Sequence, residues 1–178
     1  MTTAATGRYR NWPPSWWGRA MSMKHLSGLE LMQAMVAGNL PMPPIAHVIP
    51  MKGVVAEHGR IVFEAQADER HLNPLGGVHG GFAATVLDSV TGCAVHTVLG
   101  PGVGYGTVDL NVKMLKAVPR GVPLIAEGRV IFVSRSLGVS EGTLKDAEGN
   151  LYAHATATCL ILRPSSAASG STEQSTRM

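Results

Sequence analysis

Charge is what this sequence has least of. Charged side chains make up 15% of its 178 residues, against about 25% in an average domain. Aromatic residues are 5% and cysteines number two. Two cysteines exclude a disulfide framework and point to a reducing, cytoplasmic setting. No apolar run reaches the roughly 18 residues that a membrane-spanning helix needs. The first twenty residues carry Arg8, Arg10, Arg19, Pro13 and Pro14 where a secretory signal would be apolar. No membrane partner is expected.

What the sequence has in excess is glycine, 21 residues, where about 7% is usual. Little charge and much glycine predict surface buried between subunits. The net charge of +3 suggests nucleic acid only until it is located. Residues 1–24 hold Arg8, Arg10, Arg19 and Lys24 with no acid, while the body is close to neutral. A nucleic-acid binder carries its basic residues on the folded face, so none is expected as a partner.

Composition divides the chain into an arm over 1–24, a domain over 25–163 and a tail over 164–178. The arm contains all three tryptophans, Trp12, Trp16 and Trp17. It reads as flexible, with docking of the tryptophans on a neighbouring subunit as the alternative. The tail is rich in Ser, Ala, Gly and Thr and reads as disordered. Within the domain, Ser27 and Glu30 form a capping box ahead of a helix over 28–37. Strands are predicted over 46–57 and 60–68, then a long helix over 79–98, then strands over 103–116, 122–134, 137–146 and 150–162. In 103–116 the alternation puts Val108, Leu110, Val112 and Met114 on one face and Thr107, Asp109, Asn111 and Lys113 on the other. Strands in hairpin succession around one long helix predict an α+β fold with an antiparallel sheet of five to six strands and an extra N-terminal helix.

From His71 to Val108 the one formally charged side chain is Asp88. It sits in a helix that is apolar or small on every side. Burying a carboxylate costs several kcal/mol unless it is paired or neutralised. The rival reading is an outward stripe of Thr85, Asp88 and Thr91, but the helix supplies no Lys or Arg to pair with the acid. The helix opens with Gly76-Gly77-Val78-His79-Gly80-Gly81. Its backbone N–H groups are open to a ligand, as in an oxyanion hole. Asp88 lies about 12 Å further along the axis than Gly80. One carbonyl cannot reach both in one chain, so a shared site needs a second subunit.

These residues resemble the hotdog-fold thioesterases of the phenylacetic-acid-degradation (PaaI-type) branch. The likeness runs over about residues 45–162. It rests on Asn73, the short glycine loop, His79-Gly80-Gly81 and the helix acid Asp88; the arm and Pro74 depart from the pattern. It implies hydrolysis of a small or medium, aromatic or aliphatic, acyl-CoA. In that scheme Gly80 N–H polarises the carbonyl and Asp88 of the partner subunit serves as nucleophile or general base. Asn73 helps hold the carbonyl or water, His79 shapes the helix start, and Thr107 stands near the attacking water. Gly81, Arg135, Ser136 and Lys113 are the expected substrate contacts, with Lys116 and Arg120 as further cations for the CoA phosphates. No metal and no cofactor are implied, CoA being part of the substrate. The expected assembly is a homodimer sharing its sites, within a homotetramer. Two alternatives stay open: a non-catalytic acyl-CoA-binding or sensor module, and a hotdog hydratase or dehydratase. Gly138-Val139-Ser140-Glu141-Gly142 matches a nucleophile elbow but falls inside a strand pattern. Met32, Met35, Met42 and Met51 read as core filler, with an acyl-pocket lining as the alternative. Cys93 and Cys159 read as small core hydrophobes.

Overall fold

The computed structural model describes residues 23–164; the Trp12–Trp17 cluster and the tail beyond Pro164 lie outside them. The elements are helix α1 (Gly28–Val36), a single helical turn α2 (Ile45–Val48), strands β1 (Met51–Glu57) and β2 (Arg60–Ala65), helix α3 (Gly80–His96), and strands β3 (Gly104–Met114), β4 (Leu124–Val133), β5 (Leu137–Lys145) and β6 (Leu151–Leu162). The six strands form one sheet in the order β1-β2-β4-β5-β6-β3, with every pairing antiparallel. The sheet wraps α3, and Leu87, Val90, Leu124, Leu144 and Ile61 form the buried centre.

Two short-range signals set the helices. Ser27 Oγ accepts from Glu30 N–H, and Glu30 returns a bond to the Ser27 backbone at 2.7 Å, closing the capping box of α1. His79 caps α3. The helix then lies unusually close to the sheet. A β-carbon at Gly128 of β4 would meet the Val90 carbonyl oxygen at 2.1 Å, backbone against backbone. Ala153, Ala155 and Ala157 keep the inward face of β6 equally low. Ser140 Oγ, fully buried, donates to the Thr91 carbonyl at 3.0 Å and pins the helix to β5. The Gly138–Gly142 stretch is therefore strand interior, and Ser140 is spent on packing.

Two expectations are corrected. Residues 45–48 form a turn of helix, because Ala46 and His47 N–H bond back to the Pro43 and Pro44 carbonyls; the strand starts at Met51. Strand β3 does not alternate throughout. A bulge between Thr107 and Asp109 leaves Val108 62% exposed. The bulge resets the phase, as an extra residue must. Tyr105 and Thr107 thus line the helix side together with Leu110 and Val112.

Candidate active site

The loop before α3 is built by Asn73 and His71. Asn73 Oδ1 accepts from Leu75 N–H at 2.9 Å and Gly77 N–H at 3.2 Å, and Asn73 N–H donates to the Gly77 carbonyl at 2.7 Å. The oxygen end of the amide is committed to the loop, and Nδ2 is left as a donor. His71 is buried. Its Nδ1 accepts from Asp68 N–H at 3.0 Å, and its Nε2 lies 2.8 Å from the Val48 carbonyl, which makes Nε2 the protonated nitrogen. Its own carbonyl accepts from His79 N–H at 2.8 Å. This anchoring role left no sign in the sequence, where His71 reads as one more core or surface histidine.

At the helix start the orphan N–H groups are distributed unevenly. His79 Nδ1 accepts from Gly81 N–H at 2.8 Å, and the His79 carbonyl accepts from Phe82 N–H at 3.0 Å. Gly80 N–H has no partner among the described residues. It is exposed, beside the side chain of Met114 on β3. Gly81 therefore offers no free donor, and Gly80 does.

Asp88 faces a different environment. Its Oδ1 is buried and has no hydrogen-bond partner among the described residues. It lines a cavity of about 220 Å³ with Ser89, Cys93, Tyr105, Thr107 and a run of apolar side chains. The neighbouring hydroxyls do not serve it: Thr85 donates to the Gly81 carbonyl, Ser89 to that of Thr85, and Thr91 to that of Leu87. Thr91 is fully buried, so the outward stripe of Thr85, Asp88 and Thr91 does not exist. No ion pair reaches Asp88 among the described residues; Arg60, Arg70, Arg129 and Lys52 are engaged with Glu57, Glu127, Asp68 and Glu64. Burial, with the Asp88 charge adding to it, pushes the Cys93 thiol up to about 11 and raises the Tyr105 phenol above its usual range.

A free backbone donor at a helix start and an unpaired carboxylate in an apolar cavity are the components of acyl transfer. The sequence pattern of the thioesterase superfamily matches residues 75–153. Over 103 residues the chain is 30% identical to human acyl-coenzyme A thioesterase 13, covering 56% of this chain and 71% of that protein. Over 68 residues it is 43% identical to a protein assigned as an esterase in Halobacterium salinarum, covering 37% of this chain and 44% of that one, less than half its length. The crystal structure of a phenylacetic acid degradation-related protein from Ralstonia eutropha superposes with a TM-score of 0.67 at 30% identity, over 72% of this chain and 98% of that one. The chain belongs to the hotdog-fold thioesterase superfamily. It is a thioester hydrolase.

In this thioesterase the predicted residues separate into groups. Asn73, His79, Gly80 and Gly81 share the N-terminal end of α3, with Lys113 exposed one residue before Met114. Asp88 and Thr107 share the cavity near the middle of the helix. Arg135 and Ser136 form the exposed tip of the β4–β5 hairpin beside the other end of α3, where a β-carbon at Gly138 would meet Val95 at 2.6 Å. Ser134, which the sequence did not single out, shapes that tip by accepting from Leu137 N–H at 3.0 Å. Lys116 reaches the Asn150 side chain at 3.4 Å. Among the described residues no three His, Cys, Asp or Glu side chains gather as a metal site requires, and no helix is long and apolar enough to cross a membrane.

Proposed function

We propose that this thioesterase hydrolyses acyl-CoA, releasing CoA and a free acid, at a site shared by two copies of the chain. The observation that carries the reading is the buried Asp88 Oδ1 without a partner. Leaving a carboxylate oxygen unsatisfied is destabilising, and a reacting water or carbonyl carbon gives it a purpose. Gly80 N–H supplies the complementary half: a donor fixed at the positive end of a helix, aimed at the oxygen on which charge develops. Water adds across the thioester carbonyl, the thiolate of CoA leaves and takes a proton, and the acid remains. Asp88 acts either by drawing the proton from water or by attacking the carbonyl itself. In this reading Asn73 Nδ2 and the Thr107 hydroxyl, which otherwise contacts Cys159 Sγ at 3.9 Å, help hold the carbonyl or the water.

The edge strand supports the sharing of the site. Gly80 sits against Met114, and Asp88 shares its cavity with Thr107, at opposite ends of the same strand. Strand β3 is 11 residues long and has one side unpaired among the described residues, an arrangement that invites pairing. A second copy paired antiparallel about a two-fold midway between Thr107 and Met114 sets one chain's 107 end against the other's 114 end. Gly80 then faces the partner's Asp88. In this reading Lys113, Arg135 and Ser136 remain candidate contacts for CoA, Arg135 and Lys113 toward its phosphates, and a homotetramer is two such dimers.

A mixed dimer tests the scheme. Asp88→Asn chains combined with Gly80→Trp chains place both lesions in one site and leave the other intact. Heterodimers recovering up to about half the wild-type rate from two inactive parents support it. Heterodimers that form and stay inactive require Gly80 and Asp88 to be reassigned.

A further inference from the structure

The cavity at Asp88 does not end the apolar space. Behind it lies a second cavity of about 300 Å³, which reaches Met23, Leu31, Leu40 and Pro41 at the far side of α1. The two share Met32, Met35, Pro43, Cys93 and Tyr105 as walls, so these side chains border both cavities. Helix α1 roofs both. It is tied down at its ends: Gly28 N–H donates to the Leu99 carbonyl at 3.0 Å, and Gln33 Nε2 donates to the Ala56 carbonyl at 3.3 Å. Its cavity-facing residues are Leu31, Met32, Met35 and Val36, and the unbranched, flexible thioethers of the two methionines repack readily around a guest.

The walls restrict the guest chemically. Apart from Asp88 at one end, no lining residue of either cavity among the described residues is an acid, a lysine or an arginine. Burial keeps the Cys93 thiol protonated and favours neutral His96. A carboxylated or amino-bearing acyl tail would find no counter-charge beyond Asp88. A compact ring fills only the first cavity, whereas two cavities in series suit a guest that is long and thin.

We infer that the acyl group is an unbranched aliphatic chain that starts at Asp88, passes between Met32, Met35 and Tyr105, and ends under α1 in the second cavity. This rests on the thioesterase reading above. It makes α1 and the Leu40–Pro43 loop the determinants of chain length, in the same subunit that supplies Asp88.

The test is kcat/KM on a series of straight-chain acyl-CoAs from acetyl to palmitoyl, with phenylacetyl-CoA as the compact comparison. For the wild type, kcat/KM rises by about threefold to fourfold for each methylene buried and levels off when the second cavity is full. Met35→Trp blocks the passage, and the ratio of dodecanoyl-CoA to butyryl-CoA activity falls at least tenfold. Leu40→Trp, at the far end, moves the cut-off to a longer chain than Met35→Trp does. A wild type that prefers acetyl-CoA or phenylacetyl-CoA over every longer chain overturns the inference, as does an unchanged chain-length profile in both folded variants. If the wild type hydrolyses no acyl-CoA at all, the functional reading fails. The cavity is then judged by calorimetric binding of decanoic and dodecanoic acid: binding weakened at least tenfold by Met35→Trp upholds the chain site, and equal or absent binding overturns it.

Discussion

Replacing Asp88 by Asn separates chemistry from stability, because the two effects have opposite signs. The side chain keeps its shape and loses its charge. In the folded chain the Asp88 Oδ1 is buried without a partner, and an amide oxygen in that place is cheaper to bury than an ionised one. Leaving a buried polar group unsatisfied costs about 1–3 kcal/mol, and more when the group is charged, so removing the charge recovers on the order of 1–3 kcal/mol. For a chain of this size Tm moves by about 2–4 °C per kcal/mol, so Asp88→Asn should melt about 2–12 °C higher. Turnover should fall about 10²–10⁴-fold, the loss typical of a general base. Calorimetry gives the first quantity and thiol release from acyl-CoA the second. Binding of a non-hydrolysable thioether analogue should survive. An Asp88→Asn protein that melts no higher and turns over within twofold of wild type would refute the reasoning and make Asp88 structural.

Four further outcomes follow from the packing. Gly128→Ala drives a methyl group into the Val90 carbonyl at 2.1 Å; with backbone on both sides it should cost about 3 kcal/mol or more, read from urea unfolding. His96 is held below its ordinary value of 6.5 by burial, so the unfolded chain binds more protons there than the folded one. Its contribution to stability is complete above about pH 6.5 and is lost as the pH falls below it; the slope of Tm against pH in that range should flatten in His96→Phe. Both thiols titrate above their usual range, Cys93 at about 11 through burial, so at pH 8 the native protein should react with an aromatic disulfide reagent only after unfolding. Removal of residues 1–22 should leave a single cooperative melt; its loss would show that the Trp12–Trp17 cluster packs on the domain.

Local chemistry was legible wherever one residue decides the outcome. Ser27 with Glu30 marked the start of α1, and the glycine run marked that of α3. Asp88 stood out because nothing around it in sequence justified a charge, and its unpartnered oxygen has the same cause. Legibility stopped where distant elements meet. The bulge at Val108 depends on how β3 is paired with β6, and alternation alone put Thr107 on the wrong side of Leu110. The turn at Ile45–Val48 looked like a strand because Ile and Val favour strands, while the preceding Pro43 and Pro44 carbonyls were free to start a helical turn. The methionine-lined cavities draw on α1, the proline loop, β1, β2, α3 and β3, and no spacing within one segment reveals such a meeting. Gly81 and Gly80 looked equivalent in sequence; only the His79 ring, which takes up the Gly81 N–H, distinguishes them.

The tight seating of α3 on the sheet gives the helix the role of a measuring rod. Val90 rests on Gly128 with no room for even a methyl group, and Ser140 grips the neighbouring Thr91 carbonyl. These contacts hold the helix in place on the sheet, and the offset from Gly80 to Asp88 along it, about 12 Å, is set by helix geometry. One residue inserted between them would swing the acid by about 100° and aim it into the core. Variation in this scaffold is thereby channelled: the interval that sets the chemistry admits no adjustment, while the cavity-facing side chains of α1 are free to be recut for a different guest.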